Sequence, residues 1–281
     1  MQKRLLINSL PKSGTHLLAK VAELCDYQEH FKAPSYNKNS PLFFNYREVK
    51  NALKKENLSE SSAADAIYVG SLTPVAVDKN TFKTYLDSLV EHHYILGHVA
   101  WTPHLSNILT ELNYQHLFII RDPRAVITSL LSFIQNTVNM PKPHFLQADF
   151  KILSEKQQLD LLLEGGYAPL AQVNITPFNE VYKNMLSWQQ DPHCLMTRFE
   201  ALIGVQGGGS VLSQKEAVRK IVNFLGYDFN TKIAAQFETI YNPNARTFRK
   251  GSIDSWKKSL NTNTLQRIND YCQPLCDLAE Y

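Results

Sequence analysis

KRLLINSLPKSGTHLLA, Lys3 to Ala19, decides how the rest of this chain is read. Within Arg4 to Asn8, Leu5, Leu6 and Ile7 form an unbroken apolar run, as a strand buried on both faces of a parallel sheet requires. Pro11 and Gly14 then break the pattern, with Lys12, Ser13 and Thr15 beside them. From Thr15 the spacing of Leu17, Leu18, Val21, Ala22 and Leu24 is helical. Strand, tight polar loop, helix is therefore the predicted order. The first turn of a helix leaves amide groups without partners and is the positive end of its dipole. A loop that brings an anion to those amides makes a binding site. Gly14 lets the backbone come close, Lys12 adds a full charge, and Ser13, Thr15 and His16 add side-chain donors. The loop is not of the Walker A type, because Lys12 precedes Gly14 instead of following a second glycine. A strand–turn–helix with one solvated lysine accounts for these residues equally well.

Working outward, strands and helices alternate. Ile67 to Leu72, Tyr94 to Val99, His116 to Ile120 and His193 to Arg198 are predicted strands. Helices are predicted over Glu48–Asn57, Asp78–His92, Pro103–Leu112, Pro123–Asn136, Ser154–Glu164, Thr176–Gln190, Ser213–Leu225, Lys232–Thr239 and Thr264–Ala279. Asp26 to Ser40 and Asn139 to Gln147 read as loops. The alternation predicts a single α/β domain over 1–281, with a mostly parallel central sheet flanked by helices. Ligands of such sheets sit at the carboxyl ends of the strands. Lys12, His98 and Arg121 all fall at or just after a predicted strand end.

Two further stretches carry chemistry. In RDPRAVITS, Arg121 to Ser129, Arg121 leaves a strand end and Ser129 lies two turns into the next helix. Both can reach one anion there, and the planar fork of arginine suits phosphate. A surface arginine paired with Asp122 is the plain alternative. In FRKGSIDSWK, Phe248 to Lys257, Arg249, Lys250 and Gly251 offer two cations beside an approachable backbone, and Trp256 offers an anchor. A solvated basic loop is the plain alternative here.

Composition is that of an ordinary globular chain: 281 residues, 44% hydrophobic, 20% charged and a net charge of +3. The charge gives no argument for nucleic acid. The four cysteines, Cys25, Cys194, Cys272 and Cys276, form no CxxC and no disulfide framework, and no metal-ligand cluster is seen. A reduced, cytoplasmic location is expected, with no leader and no membrane span.

Taken together and in order, PKSGT, RDPRAVITS and RKG…DSWK resemble the soluble sulfotransferases over Leu5 to Lys257. That resemblance implies a P-loop NTPase-like sulfotransferase fold and 3′-phosphoadenosine 5′-phosphosulfate as sulfuryl donor, with no metal. Lys12, Ser13, Gly14, Thr15 and His16 match the family's 5′-phosphosulfate loop. Arg121 and Ser129 match the pair holding the 3′-phosphate, and Arg249, Lys250 and Gly251 the segment closing over it. His98 matches the catalytic base, with His92, His93, His104 and a carboxylate, Glu200 or another, as its competitors. Leu17 stands where animal cytosolic members carry a tryptophan that packs on adenine, and Phe199 stands where a tyrosine is common. Phe199 is the expected adenine neighbour. His16 replaces a usual threonine, a motif detail closer to bacterial members.

The implied reaction moves a sulfuryl group to an acceptor hydroxyl or amine, the acceptor being a small molecule or presented on a carrier. The competing readings are a nucleotide kinase on a related fold and a non-catalytic adenine-nucleotide-binding module. Variable loops, about 28–77 and 134–175, are expected to line the acceptor side. Their Phe43, Phe44, Tyr46, Phe133, Phe145, Leu146 and Tyr167 point to an apolar or aromatic acceptor.

Overall fold

The computed structural model describes residues 3–136, 143–241, 251–258 and 260–281. Its strands are β1 (Arg4–Ser9), β2 (Gln28–Glu29), β3 (Ile67–Val69), β4 (Val75–Val77), β5 (His93–Gly97), β6 (Tyr114–Ile120), β7 (Gly166–Ala168), β8 (Val173–Ile175) and β9 (Cys194–Arg198). The helices flanking the sheet begin with α1 (Thr15–Leu24), α2 (Tyr46–Lys55), α3 (Lys79–Asp87), α4 (Pro103–Glu111), α5 (Pro123–Gln135) and α6 (Gln147–Ile152). They continue with α7 (Glu155–Glu164), α8 (Phe178–Leu186), α9 (Phe199–Leu202), α10 (Val211–Phe224), α11 (Thr231–Gln236) and α12 (Thr262–Ala279).

The central sheet runs β2-β5-β1-β6-β9, and every pairing in it is parallel. Side chains of a strand alternate between faces, and the two halves of the core follow that period. Leu6 of β1, Ile95 of β5 and Phe118 and Ile120 of β6 join one cluster, together with α2 to α5, α7, α8 and α12. Leu5, Ile7, Tyr94, Leu96, Leu117 and Ile119 join the other, with α1, α10 and α11. Leu5, Leu6 and Ile7 are all fully buried. That is why the central strand reads as an apolar run without alternation. Each such side chain contributes roughly 1.5–3 kcal/mol of burial.

The same partition creates the crevice. After β1 the chain turns into α1 on one face, and after the neighbouring β6 it turns into α5 on the other. Adjacent strands whose following helices diverge leave a gap at their carboxyl ends, the switch point of an open α/β sheet.

The structure corrects several expectations. Ile67–Val69 is not part of the parallel sheet; it pairs antiparallel with β4 in a separate ribbon. The Asp26–Ser40 stretch, expected as loop, contributes β2 to the sheet edge, pairing with His93 and Tyr94. The variable stretch after residue 143 contains α6 and the β7–β8 hairpin. All these segments are two to six residues long, too short for periodicity to register. Thr176–Gln190 is α8 followed by a 3-10 turn over Ser187–Gln190. Among the described residues no helix is long and apolar enough to cross a membrane.

Candidate active site

The crevice is a cleft of about 730 Å3. Its walls include Lys12, Gly14, Thr15, His16, His98, Arg121, Ser129, Phe199 and Gly251, drawn from five separate stretches of the chain. Ser13 stays out of the wall. Its side chain is fully buried beneath the loop, its hydroxyl has no hydrogen-bond partner, and its N–H donates to the Leu10 carbonyl (3.2 Å). The expectation that Ser13 offers a side-chain donor to the cleft is corrected on that geometry. Arg249 and Lys250 lie outside the described residues.

The loop is shaped by two left-handed residues, Lys12 (φ 70) and Gly14 (φ 106). A Cβ at Gly14 would come within 2.8 Å of the Phe199 ring, so glycine is required both by conformation and by space. Gly14 is also the cap of α1 and has no side chain to occupy the helix start. Leu18 is the first residue to bond back, to the Gly14 carbonyl (3.0 Å). The first-turn amides of α1 therefore remain for a ligand. Thr15 is tied inward, its hydroxyl 2.5 Å from that of Ser9. The Lys12 ammonium sits 4.1 Å over the Phe133 ring.

Arg121 binds the cleft's segments to one another. Its guanidinium donates to the Lys12 carbonyl (3.0 Å) and to the Ser252 carbonyl (3.2 Å), and lies 4.1 Å over the Phe199 ring. The N-terminal loop, the strand end and the C-terminal segment thus meet on a single side chain. The second arginine of the motif is used differently. Arg124 makes a bidentate pair with Asp122 (2.9 Å at each nitrogen) and covers the buried Trp256 at 5.0 Å. Trp256 holds the 3-10 turn Asp254–Lys258 against α5.

His98 follows β5 directly, where the chain leaves the sheet and is gripped on both sides. Its N–H donates to the Phe44 carbonyl (2.8 Å) and its carbonyl accepts from Gly70 (2.7 Å). The next residue is clamped by Asn8, whose amide donates to the Val99 carbonyl (2.8 Å) and accepts from its N–H (3.0 Å). The imidazole Nδ1 lies 2.7 Å from the Ser9 carbonyl. A carbonyl only accepts, so Nδ1 carries the hydrogen and Nε2 carries the lone pair. Burial lowers the His98 pKa to about 4, opposed by the Ser9 contact and helped by His16 and Lys12. The ring is therefore neutral near pH 7 and rests at 4.8 Å against Phe43.

Of the competing groups, His92, His93, His104 and Glu200 stay out of the cleft wall, and Glu48 is a carboxylate within it. His92 and His93 are spent on the Cys25 and Glu91 carbonyls, at the amino end of β5. His104 is exposed on α4. Glu200 has one oxygen on the Asp122 N–H (3.2 Å) and the other on the Tyr281 hydroxyl (2.9 Å), and desolvation raises its pKa.

Of the aromatics expected on the acceptor side, Phe43, Tyr46, Phe133 and Phe145 line the cleft. Phe44 and Leu146 are fully buried in the core instead, and Tyr167 is 59% exposed on the β7–β8 hairpin. Sequence reading missed Arg47 and His144, which also line the cleft. Arg47 lies one residue before the predicted Glu48–Asn57 helix, whereas the helix starts at Tyr46 and includes it. Its position just after the Asn45 cap, whose side chain accepts from Glu48 N–H, was the available signal.

The profile of the sulfotransferase domain family matches residues 2–279. No curated protein matches the chain. Among solved structures, mouse sulfotransferase SULT7A1 complexed with PAP is similar over 99% of this chain and 85% of its own, at 16% identity and a TM-score of 0.57. Retinol dehydratase in complex with androsterone and inactive cofactor PAP is similar over 97% and 80%, at 13% identity and a TM-score of 0.54. Retinol dehydratase in a complex with retinol and PAP follows at 97% and 81%, 11% identity and 0.52. At these identities the likeness shows a shared fold. With the family profile spanning nearly the whole chain and the architecture agreeing, the chain belongs to the sulfotransferase family.

Proposed function

We propose that this enzyme transfers a sulfuryl group from 3′-phosphoadenosine 5′-phosphosulfate to an acceptor hydroxyl, with His98 as general base. The observation that carries the reading is the 2.7 Å contact between His98 Nδ1 and the Ser9 carbonyl. It leaves a neutral Nε2 lone pair in the same cleft as the Lys12 loop. In the proposed step the acceptor oxygen attacks sulfur while its proton passes to Nε2. The bond between sulfur and the bridging oxygen breaks in line, and adenosine 3′,5′-bisphosphate departs. Negative charge grows on that bridging oxygen, where Lys12 and the α1 amides of Thr15, His16 and Leu17 stabilise it.

Arg121, Ser129 and Gly251 are assigned to the 3′-phosphate. Phe199 offers an apolar surface to adenine beside the Arg121 guanidinium, in place of the tryptophan that Leu17 replaces. The donor is an anion, and the charges on this part of the wall suit it: Lys12, Lys20 and Arg121 line the cleft.

The test is calorimetric titration with adenosine 3′,5′-bisphosphate against ADP. Selective binding of the bisphosphate, weakened at least tenfold in Arg121→Ala, is expected, since hydrogen bonds to charged groups carry roughly 1.5–3 kcal/mol. Equal affinity for ADP overturns the assignment.

A further inference from the structure

The acceptor side of the cleft continues into a second cavity of about 420 Å3. Arg47, Pro143, His144 and Phe145 belong to both walls, so the two spaces share a boundary. The second cavity is completed by Gln147, Ala148 and Lys151. Among the described residues its wall holds two cationic side chains, Arg47 and Lys151, and no carboxylate. In the main cleft Glu48 is the one acidic residue of the wall among the described residues.

A second observation points to a ligand. Gln147 is 9% exposed, lines this cavity, and its Nε2 is buried without a hydrogen-bond partner. A buried amide donor left unsatisfied costs stability; the Nε2 is closed off from the cavity as the side chain stands, and a rotation of this wall side chain brings it onto an anionic oxygen there. Arg47 spends one nitrogen on the Pro143 carbonyl, which fixes the fork on the shared wall. A guanidinium has five N–H donors, so the fork retains capacity for an oxyanion.

Between this cavity and the reacting end the wall changes character. Tyr46 and Phe145 pack at 5.1 Å, and His144 stacks on Phe145 at 4.5 Å. His144 Nδ1 accepts the Leu146 N–H (3.2 Å). In the neutral ring the hydrogen is therefore on Nε2, the tautomer opposite to that of His98. The path from His98 outward thus runs from a proton acceptor, past aromatic faces, to a cationic end.

We infer that the acceptor is a hydroxylated aromatic or apolar molecule carrying a carboxylate or comparable anionic group, which docks between Arg47, Lys151 and Gln147. The inference rests on the sulfuryl-transfer reading above and narrows its acceptor class. The hydroxyl faces His98 while the acidic end occupies the second cavity.

The test uses ω-(4-hydroxyphenyl)alkanoates of increasing chain length, each against its uncharged primary amide. Affinity for the enzyme–bisphosphate complex is measured by calorimetry, and turnover is measured with the sulfuryl donor. At the best chain length the acid is expected to be favoured over its amide by about tenfold or more. In Arg47→Gln and in Lys151→Gln that ratio falls toward one, and Arg47→Lys restores part of it. Equal affinity for acid and amide, absence of acid binding, or a ratio unchanged in both glutamine variants overturns the inference. The bisphosphate titration reads the donor site separately. Bisphosphate binding without acid preference sinks the acceptor class alone, whereas loss of bisphosphate binding in the unmodified enzyme sinks the underlying reading.

Discussion

His98 follows β5 and His116 lies within β6, the two strands that flank β1, and the two imidazoles are in opposite circumstances. Desolvation holds both neutral, with pKa values of about 4 and about 3. His98 has a carbonyl partner on one nitrogen and an open cleft beside it. His116 is 3% exposed, lies edge-on to the Trp188 ring at 3.8 Å, and has no partner on either nitrogen. A depressed pKa thus marks burial in both places and marks a candidate base in only one. Placement at the carboxyl edge of the sheet, with the tautomer fixed, separates the two.

The sharpest break of this comparison is to remove each ring in turn. His98→Ala is expected to lower kcat by about 10²- to 10⁴-fold, the usual weight of general-base catalysis, while bisphosphate binding survives. His116→Leu is expected to leave kcat near that of the unmodified enzyme. Steady-state turnover of both variants decides; comparable losses in the two would show that His98 acts only through the fold.

Gly14→Ala probes the loop beside His98 without touching either imidazole. The positive φ and the 2.8 Å approach to Phe199 predict a destabilisation of about 1–3 kcal/mol. Bisphosphate affinity is expected to fall at least tenfold with it. Chemical denaturation and calorimetry measure the two effects independently. Retention of both values would mean that the Phe199 ring yields and that the loop tolerates a side chain.

Acidity tests the neutral state itself. With a pKa of about 4, His98 remains deprotonated down to about pH 5. The acid limb of kcat/KM, which reports the free enzyme, is therefore expected near pH 4 instead of near the ordinary imidazole value of 6.5. Stability moves in the same direction. The folded-state pKa values of His98 and His116 lie below 6.5, so the unfolded chain binds more protons as pH falls from 6.5 toward 4. Stability is then lost on acidification through that window. His30, with a pKa of about 4, adds to the slope. Urea unfolding at a series of pH values reads it.

The smallest effect belongs to His116. Replacing a ring with two unsatisfied nitrogens by leucine removes a buried polar cost. His116→Leu is expected to raise unfolding stability by about 1 kcal/mol at pH 7 and to flatten its acid dependence. A clear destabilisation at neutral pH would point to a packing role against Trp188 that outweighs the unpaired nitrogens.

The Lys3–Ala19 stretch by itself determined its own local structure, because a buried strand, a turn and a helix start are each written in neighbouring residues. The same holds for the strand end at Arg121 and the Pro123 helix start behind it, where Asp122 caps α5. Long, strongly periodic helices such as α10 and α12 were legible for that reason too. Strand order, the two antiparallel ribbons and which of the histidines line the cleft were decided by tertiary structure. They depend on partners far away in the chain: Ser9 and His98 are 89 residues apart, and Arg47 reaches Pro143 across 96. Local sequence sets backbone propensity and the apolar period of each segment. Which nitrogen keeps its lone pair, and which cation meets which cavity, follows only when packing brings those segments together.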